Sequence, residues 1–457
     1  MQIRRTLGLA ALAGLAVSSA AFAGPIPNFP SAIFAETGPK SAVPGLPGVN
    51  FTSFDRPYRS LSGNWIISAQ TSTGATATDE VLLSGFGYVG ALRVQEGVTA
   101  IEAGRTIDSA SIDGRYAIND AGDIAFTGNL SGASTDDESI IGGTFAVPFR
   151  EGQSVGAIVE PLGPTNSAPN ISNGGVVSFR TFGMPGSSSA ENAALIRGGS
   201  TLDARKGITT PGGLAAGTEA TFQNLDTNEY YVDAAGTNWV AVGDTNFSTS
   251  SQDDVAVYNG NAVVQEGFAI PGTSFTSGVL SIGQAGIVPS GEYWVRGSNT
   301  DAQDWVIFGD SSSVSVVAKT GDTLTGSTTE TWSDAPFTST FFLFAADNSG
   351  NYVVGGTTDS ADDLANAVLI YNGSFELARE GDAVDLDGNG LLDDGAFISV
   401  FNNDDAFLVN NTFYFTADIK DAAGAALGQA FLAMPVPAPS AAALLGLAGL
   451  VATRRSR

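Results

Sequence analysis

The apolar positions of this chain fall in short runs punctuated by Gly, Asn and Asp, and the pattern is clearest over residues 348–401. Residues 351–355 (NYVVG), 367–371 (AVLIY), 374–379 (SFELAR) and 397–401 (FISVF) are β-branched and aromatic runs separated by turn residues. Runs of this kind bounded by Gly and Asn read as strands. Asn372-Gly373 stands between the second and third runs. Both residues tolerate positive φ, so the pair marks a tight hairpin. Several runs are apolar on successive residues instead of alternating, as in a sheet covered on both faces. The stretch reads as one unit of four short antiparallel strands.

The unit recurs. Its first strand, with the turn before it, is repeated at 62–67 (SGNWII), 119–126 (NDAGDIAF), 172–177 (SNGGVV), 235–240 (AGTNWV) and 290–295 (SGEYWV), with a degenerate last copy at 411–415 (NTFYF). The third strand ends in a polar residue and a glycine, at Gly38, Gly97, Gly152, Gly207, Gly267, Gly321 and Gly381, spaced 54 to 60 residues apart. Seven copies of a four-stranded unit predict an all-β fold, a β-propeller of seven blades, because radial repetition hides sheet edges and buries both faces of each blade. A row of separate β-domains is the rival arrangement, and one unit alone is too small to bury much core. The first third-strand copy (34–38) precedes any first strand, and the last first-strand copy has no third strand after it. The N-terminal strand is therefore expected to complete the blade begun at the C-terminus. The proline-rich segment 25–48 is read as the extended lead-in that carries this strand.

The two ends have a different character. Residues 1–23 place Arg4 and Arg5 before an apolar core and end in Ala21-Phe22-Ala23. This is the order of a secretory signal, with cleavage expected between Ala23 and Gly24. The propeller is assigned to 24–434. The last segment, 435–457, runs from Pro437-Ala438-Pro439 through an apolar stretch to Arg454, Arg455 and Arg457. That stretch is shorter than the roughly 20 residues a stable span needs. The tail resembles the PEP-CTERM sorting signal of bacterial envelope and matrix proteins, in its planctomycete-type form with Ala438 where Glu is usual. The resemblance implies recognition by an exosortase-type sorting machinery, transient membrane anchoring through the C-terminal tail, and a final place in the envelope or extracellular matrix. Polysaccharide and other matrix components are the partners it implies.

Composition narrows the chemistry. The chain has no Cys and no His, which removes disulfides, thiol catalysis, Ser-His-Asp triads and His-based zinc sites. Its formal net charge is −27, and the two ends carry five arginines and no acid, so the body is more acidic still. Such a field repels nucleic acid and anionic membranes and favours cations.

The sharpest candidate site is 385–394 (DLDGNGLLDD). Oxygen ligands at alternate positions with Gly at the sixth let a short loop wrap a hard cation, as at the start of an EF-hand calcium loop. Asp385, Asp387 and Asn389 would ligate through side chains, Leu391 through its carbonyl, and Asp393 directly or through water. The twelfth position is Ala396, where a bidentate acid belongs, and Asp394 is the acid placed to substitute for it. An Asx-turn-rich connection without metal accounts for the same residues. Asp108, Asp123, Asp253, Asp254, Asp362 and Asp363 are loop acids that could supply a glycosidase-like carboxylate pair. Trp65, Trp239, Trp294, Trp305 and Trp332 could stack on sugars, with core packing the default. The polar residues before the recurring glycines are expected to face solvent. The resulting reading is a secreted, surface-anchored, non-catalytic propeller with a structural or binding role. A polysaccharide-active hydrolase or lyase and a calcium-dependent adhesion protein are the alternatives.

Overall fold

The computed structural model describes residues 29–437 except 103, 109–111, 113–114, 133, 325–329 and 334–338. Among these, the only helix is the 3-10 turn Gly38–Lys40, and the rest of the regular structure is β. Seven antiparallel sheets follow one another around an axis. Blade one has an inner edge split between Phe51–Phe54 and Tyr58–Arg59, then Asn64–Thr71, Glu80–Phe86 and Val89–Gln95. Blade two starts at Tyr116–Ile118, blade three at Thr165–Ile171, blade four at Tyr230–Val232, blade five at Val279–Ile287 and blade six at Phe341–Ala346. Each continues outward through three further strands in sequence order.

Blade seven closes the ring. Its inner strands are Ala396–Val409, Thr412–Asp421 and Ala426–Pro435, and its outer strand is Ser31–Ala35 from the N-terminus. Ser31 pairs with Ala433 and Ala35 with Ala430. The expected closure by the chain's own ends is therefore present, and Ser31–Ala35 lies within the proline-rich lead-in.

The phase of the repeat differs from the sequence reading by one strand. The runs at 351–355, 367–371 and 374–379 are the second, third and outer strands of blade six, whose inner strand is Phe341–Ala346. The run at 397–401 belongs to the inner strand of blade seven. The covalent link between outer and next inner strand is the crossover between blades, and the apolar pattern does not mark it.

The core explains the blade count. Seven separate apolar clusters form, one at each interface between neighbouring blades. Side chains alternate along a strand, so Trp65, Ile67 and Ala69 face blade seven while Ile66 faces blade two. Both faces are thus apolar, which is why the runs do not alternate. All five tryptophans are buried, so core packing holds for each. Asn372 and Gly373 both have positive φ, the backbone expected of an Asn-Gly hairpin.

The recurring glycines also have positive φ, from 65° at Gly97 to 90° at Gly381. The N–H of Gly97, Gly152, Gly207, Gly267, Gly321 and Gly381 each donates to a carbonyl in the segment entering the next blade, at Ile107, Leu162, Phe222, Val279, Trp332 and Ile398. Of the residues before the recurring glycines only Thr37 faces solvent as expected. Glu96 is 1% exposed and the other five are half-buried, because the pair is wedged into the crossover.

Candidate functional site

The loop 385–394 lies against the closing strand. The Asp385 N–H donates to the Pro30 carbonyl and its own carbonyl accepts the Ala32 N–H, both near 3 Å, so the loop covers the outer edge of Ser31–Ala35. Asp385 is 1% exposed and accepts the Ser31 hydroxyl at 2.9 Å. Its carboxylate also accepts the N–H groups of Asn389 and Gly390, each at 3.0 Å. Asp394 reaches back to accept the N–H of Leu386 at 2.7 Å. Carboxylate oxygens of Asp385, Asp387 and Asp394 come within 4.8 Å of one another. The Asn389 amide donates to Asp387 at 3.0 Å.

Asp394 thus joins Asp385 and Asp387 in one carboxylate cluster. Asp393 stays outside the carboxylate cluster and meets only the Asn389 amide, at 3.4 Å. Leu391 turns its side chain outward, 58% exposed, and its N–H donates to Asn389. Lys40 lies over Gly388, where a Cβ would meet its Nζ at 2.9 Å. The donor set is all oxygen, as a hard cation requires. The backbone N–H groups aimed at the same carboxylates stabilise the loop as it stands.

A second charged assembly occupies the propeller axis, and the sequence did not point to it. Arg56 and Arg59 flank Tyr58 on the inner edge of blade one, and blades two, four, five and seven supply Arg115, Glu229, Arg296, Asp404 and Asp405. Arg296 forms a close ion pair with Asp404. Gln284 bridges, accepting from Arg56 and donating to Asp404. Asp404 sits at positive φ, where the long inner strand of blade seven bulges between Phe401 and Ala406. Such bulges re-aim side chains, and here an acid is brought to the axis. Thr416 donates to Asp405 at 3.1 Å.

Burial raises the carboxyl of Asp404 above its usual range, against Arg296 and Arg56, and that of Glu229, against Arg56 and Arg115. Burial also pushes Asp405 up to about 7, against the pull of Arg56 and with the Asp55 charge adding to the rise. Burial works against the charge of Arg56, but Tyr58, Tyr231, Asp404 and Glu229 outweigh it and hold its pKa above the ordinary value. The arrangement is a buried, arginine-centred network in which the acids serve as counter-charges. Arg56-Pro57-Tyr58-Arg59 was its only trace in sequence, and nothing in that tetrapeptide signals an axis.

The loop acids proposed as a hydrolase pair are dispersed. Asp123 accepts the Asn119 amide in a turn. Asp362 accepts the Leu364 N–H, and Asp363 is exposed in the same loop. Asp253 and Asp254 do meet, with Glu266, at one end of blade four. Burial first, then Asp244 and Glu266, push Asp254 up to about 8, so it keeps a proton near neutral pH and the like charges coexist. The processing residues Ala23, Gly24 and Pro439 lie outside the described residues. Pro437 lies two residues past the end of the last strand of blade seven. Among the described residues no helix is long and apolar enough to cross a membrane.

No known protein family and no curated protein matches the sequence. Solved structures similar in shape include a puromycin-hydrolyzing peptidase of Mycobacterium tuberculosis, at 12% identity and TM-score 0.38, covering 82% of this chain and 53% of that one. This chain spans about half the length of that peptidase. YCF48 bound to D1 peptide is similar at 10% identity and TM-score 0.35, covering 87% of this chain and 100% of that one. A subtype N11 neuraminidase-like protein from a flat-faced bat influenza virus is similar at 9% identity and TM-score 0.32, covering 89% and 93%.

Proposed function

We propose that this chain is an exported β-propeller of the bacterial envelope or extracellular matrix, anchored for a time through its C-terminal tail and acting in structure or binding, not catalysis. The observation that carries the reading is the seam. Ser31 and Ala433 are paired, and Val436 donates to the Asn411 carbonyl, so the segments leading to the signal and to the tail leave from one rim of the ring. A body attached by adjacent ends presents the opposite face freely. Loop 385–394 braces the same seam. In this reading a calcium ion bridges Asp385, Asp387 and Asp394, with Asn389 completing the oxygen set, and stiffens closure of the ring. Adhesion that depends on calcium is compatible with this arrangement.

Calorimetric titration with calcium, and thermal melts in calcium and in chelator, test the seam. The expected result is a saturable site that raises the melting temperature and is lost in Asp387→Ala. No heat and no shift would reduce the loop to a hydrogen-bonded turn. Fractionation of cells expressing the full chain, with the tail deleted in a parallel strain, tests the address. Release to the medium in both strains alike would refute anchoring.

One observation favours a second reading, a polysaccharide hydrolase or lyase. Asp405, held up to about 7, would be protonated at mildly acidic pH and suited to general-acid work. Reducing ends released from envelope polysaccharide by the full chain, and not by Asp405→Asn, would favour it.

A further inference from the structure

A partly open cavity at the axis has two lobes of about 100 and about 80 Å³, which share Tyr58, Arg59, Tyr231, Ile287 and Pro289. Arg56 and Arg59 line the first lobe, Arg59 and Arg115 the second, and among the described residues no acid lines either. The chain carries 47 acids against 20 lysines and arginines, so three arginines around one cavity oppose its overall charge. None of the three makes an ion pair among the described residues; Asp404 and Glu229 act on Arg56, Glu229 on Arg115, and Asp347 and Asp120 on Arg59, in each case through the field.

Arg59 reaches across the axis to blade six, where it donates to the Ala346 carbonyl at 2.9 Å and the Asn348 side-chain oxygen at 3.3 Å; its remaining bond goes to the Ser60 carbonyl. All three acceptors are neutral. Burial pulls its pKa down to about 10, with Asp347 and Asp120 opposing only in part. Arg115 is 3% exposed, and its guanidinium lies 3.9 Å from the centre of the Tyr231 ring and 5.4 Å from that of Tyr58. It donates to the carbonyls of Asn228 and Tyr230 and to the Asn170 side-chain oxygen, while its Nε has no partner. Glu229 acts on Arg115 only through the field, and neither Arg59 nor Arg115 makes an ion pair among the described residues. A buried guanidinium without a counter-ion is costly, and a bound anion removes that cost.

We propose that the axial cavity receives a small oxyanion, a carboxylate or phosphate group, between Arg59 and Arg115. A planar guanidinium presents parallel N–H donors matched to either group, so charge and geometry favour the same ligand class. A lobe of this size holds several waters, which is room enough for such a group. This assignment does not depend on export or on calcium.

The test is calorimetric titration of the full chain with inorganic phosphate and with acetate, against chloride at matched ionic strength. It is repeated on Arg59→Gln and Arg115→Lys, with circular dichroism to check folding. Saturable binding of either anion, weakened about tenfold or more in Arg59→Gln, is expected from losing one charge-assisted contact. Binding of phosphate alone would identify a phosphate-bearing ligand, and of acetate alone a carboxylate-bearing one. Absence of saturable binding by both anions, or binding undiminished in Arg59→Gln, would overturn the assignment. Arg59→Gln decides alone if Arg115→Lys does not fold.

Discussion

Glu138 offers a test of how the blades are latched. It begins the third strand of blade two and accepts the N–H of Asn166, in the inner strand of blade three, at 3.1 Å. Burial, opposed by that N–H and reinforced by Asp137 and Glu151, pushes its carboxyl from 4.5 up to about 7. A group that binds its proton more tightly when folded stabilises fully below its unfolded pKa, and the contribution is lost as pH rises through the folded pKa. For Glu138 the window runs from about 4.5 to about 7. At about 1.36 kcal/mol per pH unit, a rise from 4.5 to about 7 sets an upper bound of about 3 kcal/mol. Glu138→Gln keeps an acceptor for Asn166 and cannot ionise. It should match the parent near the lower end of the window and exceed it by up to about 3 kcal/mol above the upper end. Urea unfolding of both chains across that range measures the difference. Asp254 and Asp405 add the same sign to both chains, so the comparison isolates one carboxyl. A difference that stays flat with pH, or grows toward acid, would refute the reasoning.

Three further outcomes are expected. Phe34→Ala removes a 6% exposed ring packed 5.1 Å from Phe51 and 6.0 Å from Trp65, and should cost about 3–5 kcal/mol in denaturant unfolding. A loss below about 1 kcal/mol would show that the seam does not depend on it. Gly97→Ala would place a Cβ 2.2 Å from the Ala77 carbonyl oxygen at a φ of +65°, and should lower the melting temperature more than Gly104→Ala, whose Cβ meets nothing within 4 Å at a φ of +79°. Equal effects would contradict the crowding argument. Arg296→Met leaves Asp404 buried without its ion-pair partner and should cost about 3–5 kcal/mol. Adding Asp404→Asn should recover much of that loss, and a purely additive double variant would show that the pair is not coupled.

The propeller was legible because its second, third and outer strands are apolar on both faces, as in Asn64–Thr71 and Glu80–Phe86. The inner strands were less so. Tyr58–Arg59 and Tyr116–Ile118 are too short to carry a pattern. Phe341–Ala346 is as apolar as the strands that follow it, and an apolar run does not mark which strand opens a blade, so the unit at 348–401 spans a blade border. The meeting of acids in loop 385–394 was legible because their spacing is local, and Asp394, not Asp393, joins Asp385 and Asp387. The axial network was not, since its residues come from five blades and meet only when the ring is formed.

The arginines that cross the axis bear on how the ring comes apart. In a linear array each repeat touches only its neighbours, and stability is a sum of local terms. Here Arg59 ties blade one to blade six, past blade seven, and Arg115 ties blade two to blade three through Asn170 and to blade four through the Tyr230 carbonyl. Arg296 joins blade five to blade six through the Phe341 carbonyl and to blade seven through Asp404. Opening one blade therefore strips hydrogen bonds from partners that are not adjacent to it. The molecule should respond to stress like a spoked wheel: amide exchange in the inner strands should be governed by opening of the whole ring, with blade-by-blade fraying confined to the outer strands.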